Sequence, residues 1–176
     1  MNAVNSIEAF VKSVHIAQGE YFVSNKTDVL ISTVLGSCVA TCLWDARAGV
    51  GGMNHILLPQ DLSNSPMSQM HGINAMEILI NEMLKLGAVK SRIRAKLFGG
   101  AKMVVGLSNI GLRNSRFAAD FLRQEQIPCE AQSLGGVEAR RIQFWPSTGR
   151  ARQKFVTNAP VETPIVGEQA NDVELF

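Results

Sequence analysis

Residues 32–59, STVLGSCVATCLWDARAGVGGMNHILLP, decide the fold of this chain. Residues 38–44 are typical of a β-strand, because β-branched and apolar side chains dominate them. Residues 45–49 have the composition of a turn, and Gly49 is the natural residue for a positive φ. Residues 50–58 then predict the returning strand, so the stretch is a β-hairpin.

The hairpin brings one cysteine and one histidine together. If Trp44 pairs with Gly49 across the turn, counting back pairs Cys38 with His55. Directly opposed residues share a face, with Cβ atoms about 4.5–5.5 Å apart, whereas a slip of one residue would separate them. The pattern therefore predicts a thiol beside an imidazole, the minimum for nucleophilic cysteine chemistry. The simpler interpretation is a small buried cysteine and a core histidine.

Such a pair needs a third group that orients the imidazole. Ser32 and Thr33 lie shortly before Cys38 with no neighbouring acid, which favours a hydroxyl or a carbonyl for this role. The backbone N–H groups around Ser37 and Cys38 are candidates for an oxyanion hole.

Two other uses of the cysteines are weaker. Cys38, Cys42 and His55 offer metal ligands, but no second Cys or His pair completes a tetrahedral set. A disulfide between Cys38 and Cys42 does not fit a regular strand, where their Cα atoms are about 13 Å apart. We expect no metal and no cofactor.

The composition is that of an ordinary globular domain. The chain has 176 residues, of which 46% are hydrophobic and 18% charged. The net charge of +2 is too small to imply a nucleic-acid partner. The first residues lack a secretory pattern, and the apolar run at 29–44 is interrupted by polar residues and glycine, so we expect no membrane insertion. We expect a cytoplasmic monomer, since a reducing compartment keeps a thiol free.

The remaining segments predict a layered α+β domain. We expect residues 1–156 to form a single domain that begins with an N-terminal arm at 1–12, and we expect 157–176 to form a mobile acidic tail. Helices are predicted at 73–86, ended by Gly87, and at 114–126. Because strands outnumber helices and the helices lie between strand groups, the fold class is α+β, a mixed α/β architecture.

Three further local predictions concern caps and charges. Asn114 is the expected N-cap of the second helix. Residues 89–97 predict a strand with one basic, solvated face. Residues 140–145 and 150–156 predict a hairpin whose basic side chains are exposed.

Five segments of the chain resemble the chemoreceptor glutamine deamidase family, CheD. They are TVLGSCVATCLWD, GVGGMNHILLP, KLFGGAKM, IGLRN and FWPSTG, and the similarity covers about residues 14–156. The spacing of Cys38 and His55 inside the GSC and GGMNH motifs is its most specific part.

The resemblance implies an α/β/β sandwich related to bacterial toxin deamidases. It implies hydrolysis of receptor glutamine amides to glutamate, with Cys38 as nucleophile and His55 as general base. The family's third catalytic residue is a threonine, and its position is Ser32 here, next to Thr33. Ala139 stands where the family usually has glycine, so the local loop is expected to differ.

The resemblance also implies the partners of the protein. They are methyl-accepting chemotaxis receptors as substrates and a CheC-type phosphatase as a further binding partner. A receptor is a long helical bundle, so we expect an open cleft at the site. The alternatives are a non-catalytic adaptor that binds receptors or CheC, and a different cysteine hydrolase.

Overall fold

The computed structural model describes residues 11–59, 66–103 and 109–156, which form nine strands, two α-helices and a short 3-10 helix. Most of the predicted N-terminal arm and the whole tail lie outside these residues. The strands are β1 Lys12–His15, β2 Tyr21–Ser24, β3 Val29–Leu35, β4 Val39–Asp45, β5 Val50–Ile56, β6 Arg94–Gly99, β7 Cys129–Leu134, β8 Ala139–Trp145 and β9 Arg150–Val156. The helices are α1 Pro66–Lys85, α2 Ile110–Gln124 and the 3-10 helix Lys90–Arg92.

The strands form two sheets. The four-stranded sheet has the order β1-β3-β8-β9, and the five-stranded sheet has the order β2-β5-β4-β6-β7. β1 runs parallel to β3 and β7 parallel to β6, while the other neighbours are antiparallel. Every residue of β4 and β5 is buried, as expected for strands covered on both faces of a sheet.

The two faces of β4 contribute to two separate cores. Val39 and Leu43 pack with the helices α1 and α2 on one face. Ala40 and Cys42 pack against the four-stranded sheet on the other. The layers are therefore helices, five-stranded sheet and four-stranded sheet, which confirms the α+β class and the α/β/β sandwich.

The pairing register of the β4–β5 hairpin differs from the prediction by two residues: Trp44 pairs with Gly51 and not with Gly49. Gly49 has a positive φ of 65°, as expected, but Asp45 pairs with Val50 and closes the ladder. The Asp45 carboxylate accepts hydrogen bonds from the backbone N–H groups of Arg47 and Ala48, which is an Asx-type turn. Asp45 is therefore the last residue of β4, one residue later than predicted, and the pairing on the β5 side begins at Val50 instead of Gly49. The resulting register shift of two residues leaves every side chain on its predicted face of the sheet.

Asp45 also binds the segment between α1 and β6. Its carboxylate is fully buried and accepts hydrogen bonds from Arg92 at 3.0 Å and from the N–H of Val89 at 2.9 Å. Burial raises the pKa of Asp45, but these hydrogen bonds and the Arg92 charge outweigh it and hold the pKa at about 2. The predicted strand at 89–97 is confirmed only from Arg94, where β6 begins. The first part is wrong, because Lys90–Arg92 is a 3-10 helix and Arg92 pairs with the buried carboxylate instead of lying on a solvated basic face.

Both helices begin earlier than predicted. α1 begins at Pro66, whose fixed φ suits the first turn of a helix, and it ends before Gly87, which has a φ of 99° as expected. Asn109 is the N-cap of α2, so the prediction of Asn114 as the cap is wrong, and Asn114 lies buried inside the helix. Among the described residues, no helix is long and apolar enough to span a membrane.

The β8–β9 hairpin forms as predicted, except that one of its basic residues is buried. Arg140 is 2% exposed, and its guanidinium donates hydrogen bonds to the Ser133 and Gly135 carbonyls and stacks on the Phe155 ring. Ala139 lies in the extended ladder of β8, and the positive φ angles of the preceding loop fall on glycines.

Candidate active site

Cys38 lies directly before β4, at the end of the sandwich opposite the β4–β5 turn. Its carbonyl oxygen accepts a hydrogen bond from Gly100, and the Gly36 carbonyl accepts one from Ala101. The backbone after β6 therefore holds the turn that carries the thiol. A Cβ at Gly99 would overlap the Cys38 carbonyl oxygen, and the φ of Gly99 is 113°, so this close approach requires glycine.

His55 lies in β5 and pairs with Ala40, not with Cys38. The predicted direct pairing is therefore wrong. Cys38 is two residues from Ala40 along the chain and packs in the same inter-sheet core, so thiol and imidazole are diagonal neighbours on one face. Cys38 is 0% and His55 5% exposed.

Thr33 of β3 holds the imidazole from the other sheet. The Thr33 Oγ1 is 2.8 Å from the His55 Nδ1 and 2.7 Å from the Ile16 carbonyl oxygen. A carbonyl only accepts, so the single hydroxyl proton goes to Ile16, and the hydroxyl oxygen accepts from Nδ1–H. This hydrogen-bond chain assigns the proton of neutral His55 to Nδ1 and leaves Nε2 as a base. Nε2 is buried without a hydrogen bond to any residue in the described part of the chain.

Ser32 points to the other face of the four-stranded sheet. Its Oγ lies 3.5 Å from the His15 Nδ1. Neighbouring strand residues alternate between faces, so Ser32 cannot contact His55 while Thr33 does. The prediction that Ser32 orients the imidazole is therefore wrong, and Thr33, the alternative that the sequence left open, makes the contact.

Burial keeps the His55 imidazole neutral. It lowers the pKa of His55 from 6.5 to about 4, and the charge of His15 adds to this. The nearby Ile16 carbonyl dipole and the charge of Glu20 act in the opposite direction. At pH 7 the ring is therefore neutral and able to take a proton.

The turn at residues 16–20, between β1 and β2, lies against the thiol. The Cys38 S–H donates to the Gln18 Oε1 at 3.9 Å. The N–H of Gly19 donates to the His55 carbonyl at 2.8 Å, and the N–H of His55 donates to the Glu20 carbonyl at 3.0 Å. The thiol has no exposed surface, so the expectation of an open cleft is wrong. Nothing in the local sequence pattern singles out Gln18.

Two residues of α2 tie the ends of the site together. The Asn114 Nδ2 donates to the Ser37 carbonyl at 2.9 Å, and its Oδ1 accepts from the N–H of Leu58 at 3.1 Å. Arg113 donates to the carbonyls of Leu58 and Pro59. The buried amide thus connects the turn before the thiol to the strand end after the imidazole. No local sequence pattern predicts this role, although both residues belong to the IGLRN motif.

The other cysteines differ from Cys38 in their surroundings. Cys42 is fully buried, and this burial raises the pKa of its thiol against the opposing charge of Lys96. Cys129 is exposed, and none of the three cysteines forms a disulfide bond. Within the described ranges, no three His, Cys, Asp or Glu side chains form a group suited to a metal ion. Cys38, Cys42 and His55 therefore do not form such a group.

The chain matches a family model described as CheD chemotactic sensory transduction over residues 57–155. It belongs to the CheD family. The resemblance noted from the motifs is thereby confirmed. The matched segment of the CheD model begins two residues after His55.

Similar proteins extend the CheD match over nearly the whole chain. A protein of Caulobacter sp. (strain K31) named "Probable chemoreceptor glutamine deamidase CheD" is 50% identical over 93% of this chain and 92% of its own length. A protein of the same name from Agrobacterium fabrum is 45% identical over 97% of this chain and 99% of its own length. Among solved structures, the hypothetical protein YfiH of Bacillus licheniformis gives a TM-score of 0.44, with 11% identity over 64% of this chain and 49% of that chain.

Proposed function

We propose that this protein is a chemoreceptor glutamine deamidase that uses Cys38 as its nucleophile. The names of its CheD relatives supply the reaction and the substrate class. The observation that carries the proposal is the hydrogen bond between Thr33 and His55, which turns the buried Nε2 into a base on the same face as the thiol. A nucleophile, a base and an orienting group are the set that such chemistry needs.

The reaction proceeds in two halves. His55 Nε2 takes the proton from Cys38, and the thiolate attacks the carboxamide carbon of a receptor glutamine. His55 then gives the proton to the leaving ammonia, and a thioester forms. Water, deprotonated by His55, hydrolyses the thioester and releases glutamate. Side chains and water suffice for every step.

Oxyanion stabilisation comes from the backbone near the thiol. The turn at residues 36–38 is fixed by hydrogen bonds from Gly100 and Ala101 and by Asn114, so its N–H groups are pre-oriented. A donor of this kind contributes about 10²–10³-fold to the rate.

The same proposal covers the partners of the protein. Methyl-accepting chemotaxis receptors are the substrates, and a CheC-type phosphatase is a further partner. The protein works as a cytoplasmic monomer whose residues 1–156 form one domain.

Mass spectrometry of a chemoreceptor cytoplasmic fragment tests the proposal. The fragment is incubated with the wild-type protein, with Cys38→Ala and with Cys42→Ala, which removes a buried thiol from the same strand face. We expect conversion of specific glutamines to glutamate with the wild type and Cys42→Ala, and none with Cys38→Ala. If no variant converts a glutamine while the protein is folded and binds the fragment, the chain is a non-catalytic adaptor, the function that the full burial of Cys38 favours.

A further inference from the structure

Gln18 carries the same functional group as the proposed substrate, and it lies at the nucleophile. Its Oε1 is 3.9 Å from the Cys38 Sγ. A carbonyl bond is about 1.23 Å long and the thiol donates to the outer side of the oxygen, so the carboxamide carbon lies about 4.1–5.1 Å from the sulfur. Near-attack geometry requires about 3–3.5 Å. The side chain of Gln18 is exposed, so a displacement of at most about 2 Å brings its carbon to that distance.

The backbone under Gln18 is fixed to the site. Hydrogen bonds join Gly19 and Glu20, on one side of the turn, to the backbone of His55. The Ile16 carbonyl, on the other side, accepts the hydroxyl proton of Thr33. Within the turn, the Glu20 carboxylate accepts a hydrogen bond from the N–H of Ala17. The carboxamide is therefore presented to the thiol by the same bonds that hold the imidazole.

We propose that Gln18 is an internal substrate, so that the protein converts its own Gln18 to glutamate. This inference rests on the proposed function, because it uses the same thiol and base. The Cys38 proton passes to His55 Nε2, a bond forms between Sγ and the Gln18 carboxamide carbon, and the carbon–nitrogen bond breaks as ammonia leaves with that proton. Water then cleaves the thioester, restores the thiol and leaves a glutamate at position 18.

The modification has a direct consequence for the site. A carboxylate next to Cys38 disfavours the thiolate, because like charges at short range repel. Conversion of Gln18 therefore lowers the turnover of external glutamines and limits the activity of the protein over time.

The test is made on the full-length protein in buffer that contains ¹⁸O-labelled water. Trypsin releases residues 13–26, SVHIAQGEYFVSNK, in which Gln18 is the sole glutamine. Fragmentation of this peptide reports exchange of the amide for a carboxylate that carries one ¹⁸O atom. We expect this exchange at Gln18 in the wild type and in Cys42→Ala. In Cys38→Ala and His55→Ala we expect the exchange rate to fall by at least about 10²-fold. Exposed Gln132 in β7 is the internal control and remains an amide.

The outcomes separate this inference from the proposed function. An intact Gln18 in the wild-type protein overturns the inference, and this outcome does not depend on the folding of any variant. Conversion of Gln18 at the same rate in Cys38→Ala and in the wild type also overturns it. Receptor glutamines converted beside an intact Gln18 overturn the inference and leave the proposed function standing. Thiol-dependent conversion of Gln18 without conversion of a receptor fragment supports the inference and removes receptors as the substrate.

Discussion

At the residue scale, one hydroxyl decides which nitrogen of His55 acts as the base. Thr33→Val keeps the shape of the side chain and removes the acceptor for Nδ1–H. An unsatisfied buried donor costs about 1–3 kcal/mol, which corresponds to about a 5- to 150-fold loss of kcat. Thr33→Ser retains the hydroxyl and most of the activity. Receptor deamidation assays measure both.

Ser32→Ala is the matched control for Thr33→Val. Ser32 faces away from the imidazole, so its kcat is expected within about twofold of the wild type, in the range typical of surface substitutions. A larger loss for Ser32→Ala than for Thr33→Val would return the orienting role to Ser32.

The pKa of His55 makes the folded state sensitive to acid. Because the pKa falls from 6.5 unfolded to about 4 folded, the unfolded chain binds more protons between these values. The contribution of His55 to stability is therefore complete above pH 6.5 and is lost as the pH falls through 4. At 1.36 kcal/mol per pKa unit, the free energy of unfolding drops by about 2–3 kcal/mol between pH 7 and 4.5.

Urea denaturation at these two pH values tests this sign. His55→Gln stays neutral and is expected to lose about 2–3 kcal/mol less than the wild type on acidification. His71→Gln, at an exposed position of α1, is the control for the loss of a histidine side chain. An unchanged dependence in His55→Gln would mean that the imidazole is solvated in the folded protein.

At the element scale, α2 acts as a brace for two strand ends. Asn114→Ala leaves the Ser37 carbonyl and the N–H of Leu58 without their partner, at about 1–3 kcal/mol each. We expect a loss of about 2–6 kcal/mol in unfolding free energy, measured by urea denaturation. Asn109→Ala changes the N-cap residue, whose side chain makes no capping hydrogen bond, and costs less than about 0.5 kcal/mol. Equal losses for the two variants would contradict the bracing role.

At the scale of the whole molecule, local patterns predicted most of the strands and a layered α+β class. The family resemblance supplied the α/β/β order of the layers, and neither predicted the side-chain contacts between layers. The alternation in residues 38–58 placed Cys38 and His55 on one face, because the error in register was even. The same alternation left Ser32 and Thr33 undecided, since either face of β3 suits a buried strand. Gln18 and Asn114 reach the site from elements that are 20 and 76 residues away from Cys38, and a single sequence carries no signal for such contacts.

The buried ion pair of Asp45 and the candidate active site with Cys38 lie at opposite ends of β4. β4 has seven residues, so Asp45 lies about 20 Å from Cys38. Asp45→Asn removes a buried charge that Arg92 and three backbone N–H groups stabilise, and we expect the unfolding free energy to fall by about 2–4 kcal/mol.

Because the pKa of Asp45 is about 2, against 3.8 for the unfolded group, its contribution is present above pH 3.8 and is lost as the pH falls through 2. The difference between the unfolding free energies of the wild type and Asp45→Asn therefore narrows in strong acid. Asp28→Asn, at an exposed position, is the control for the loss of a carboxylate. Below its melting temperature, Asp45→Asn should retain kcat/KM within about twofold, because the Thr33–His55 contact does not depend on the far turn. A deamidase that loses activity in proportion to stability in this variant would show that the turn and the site are one cooperative unit.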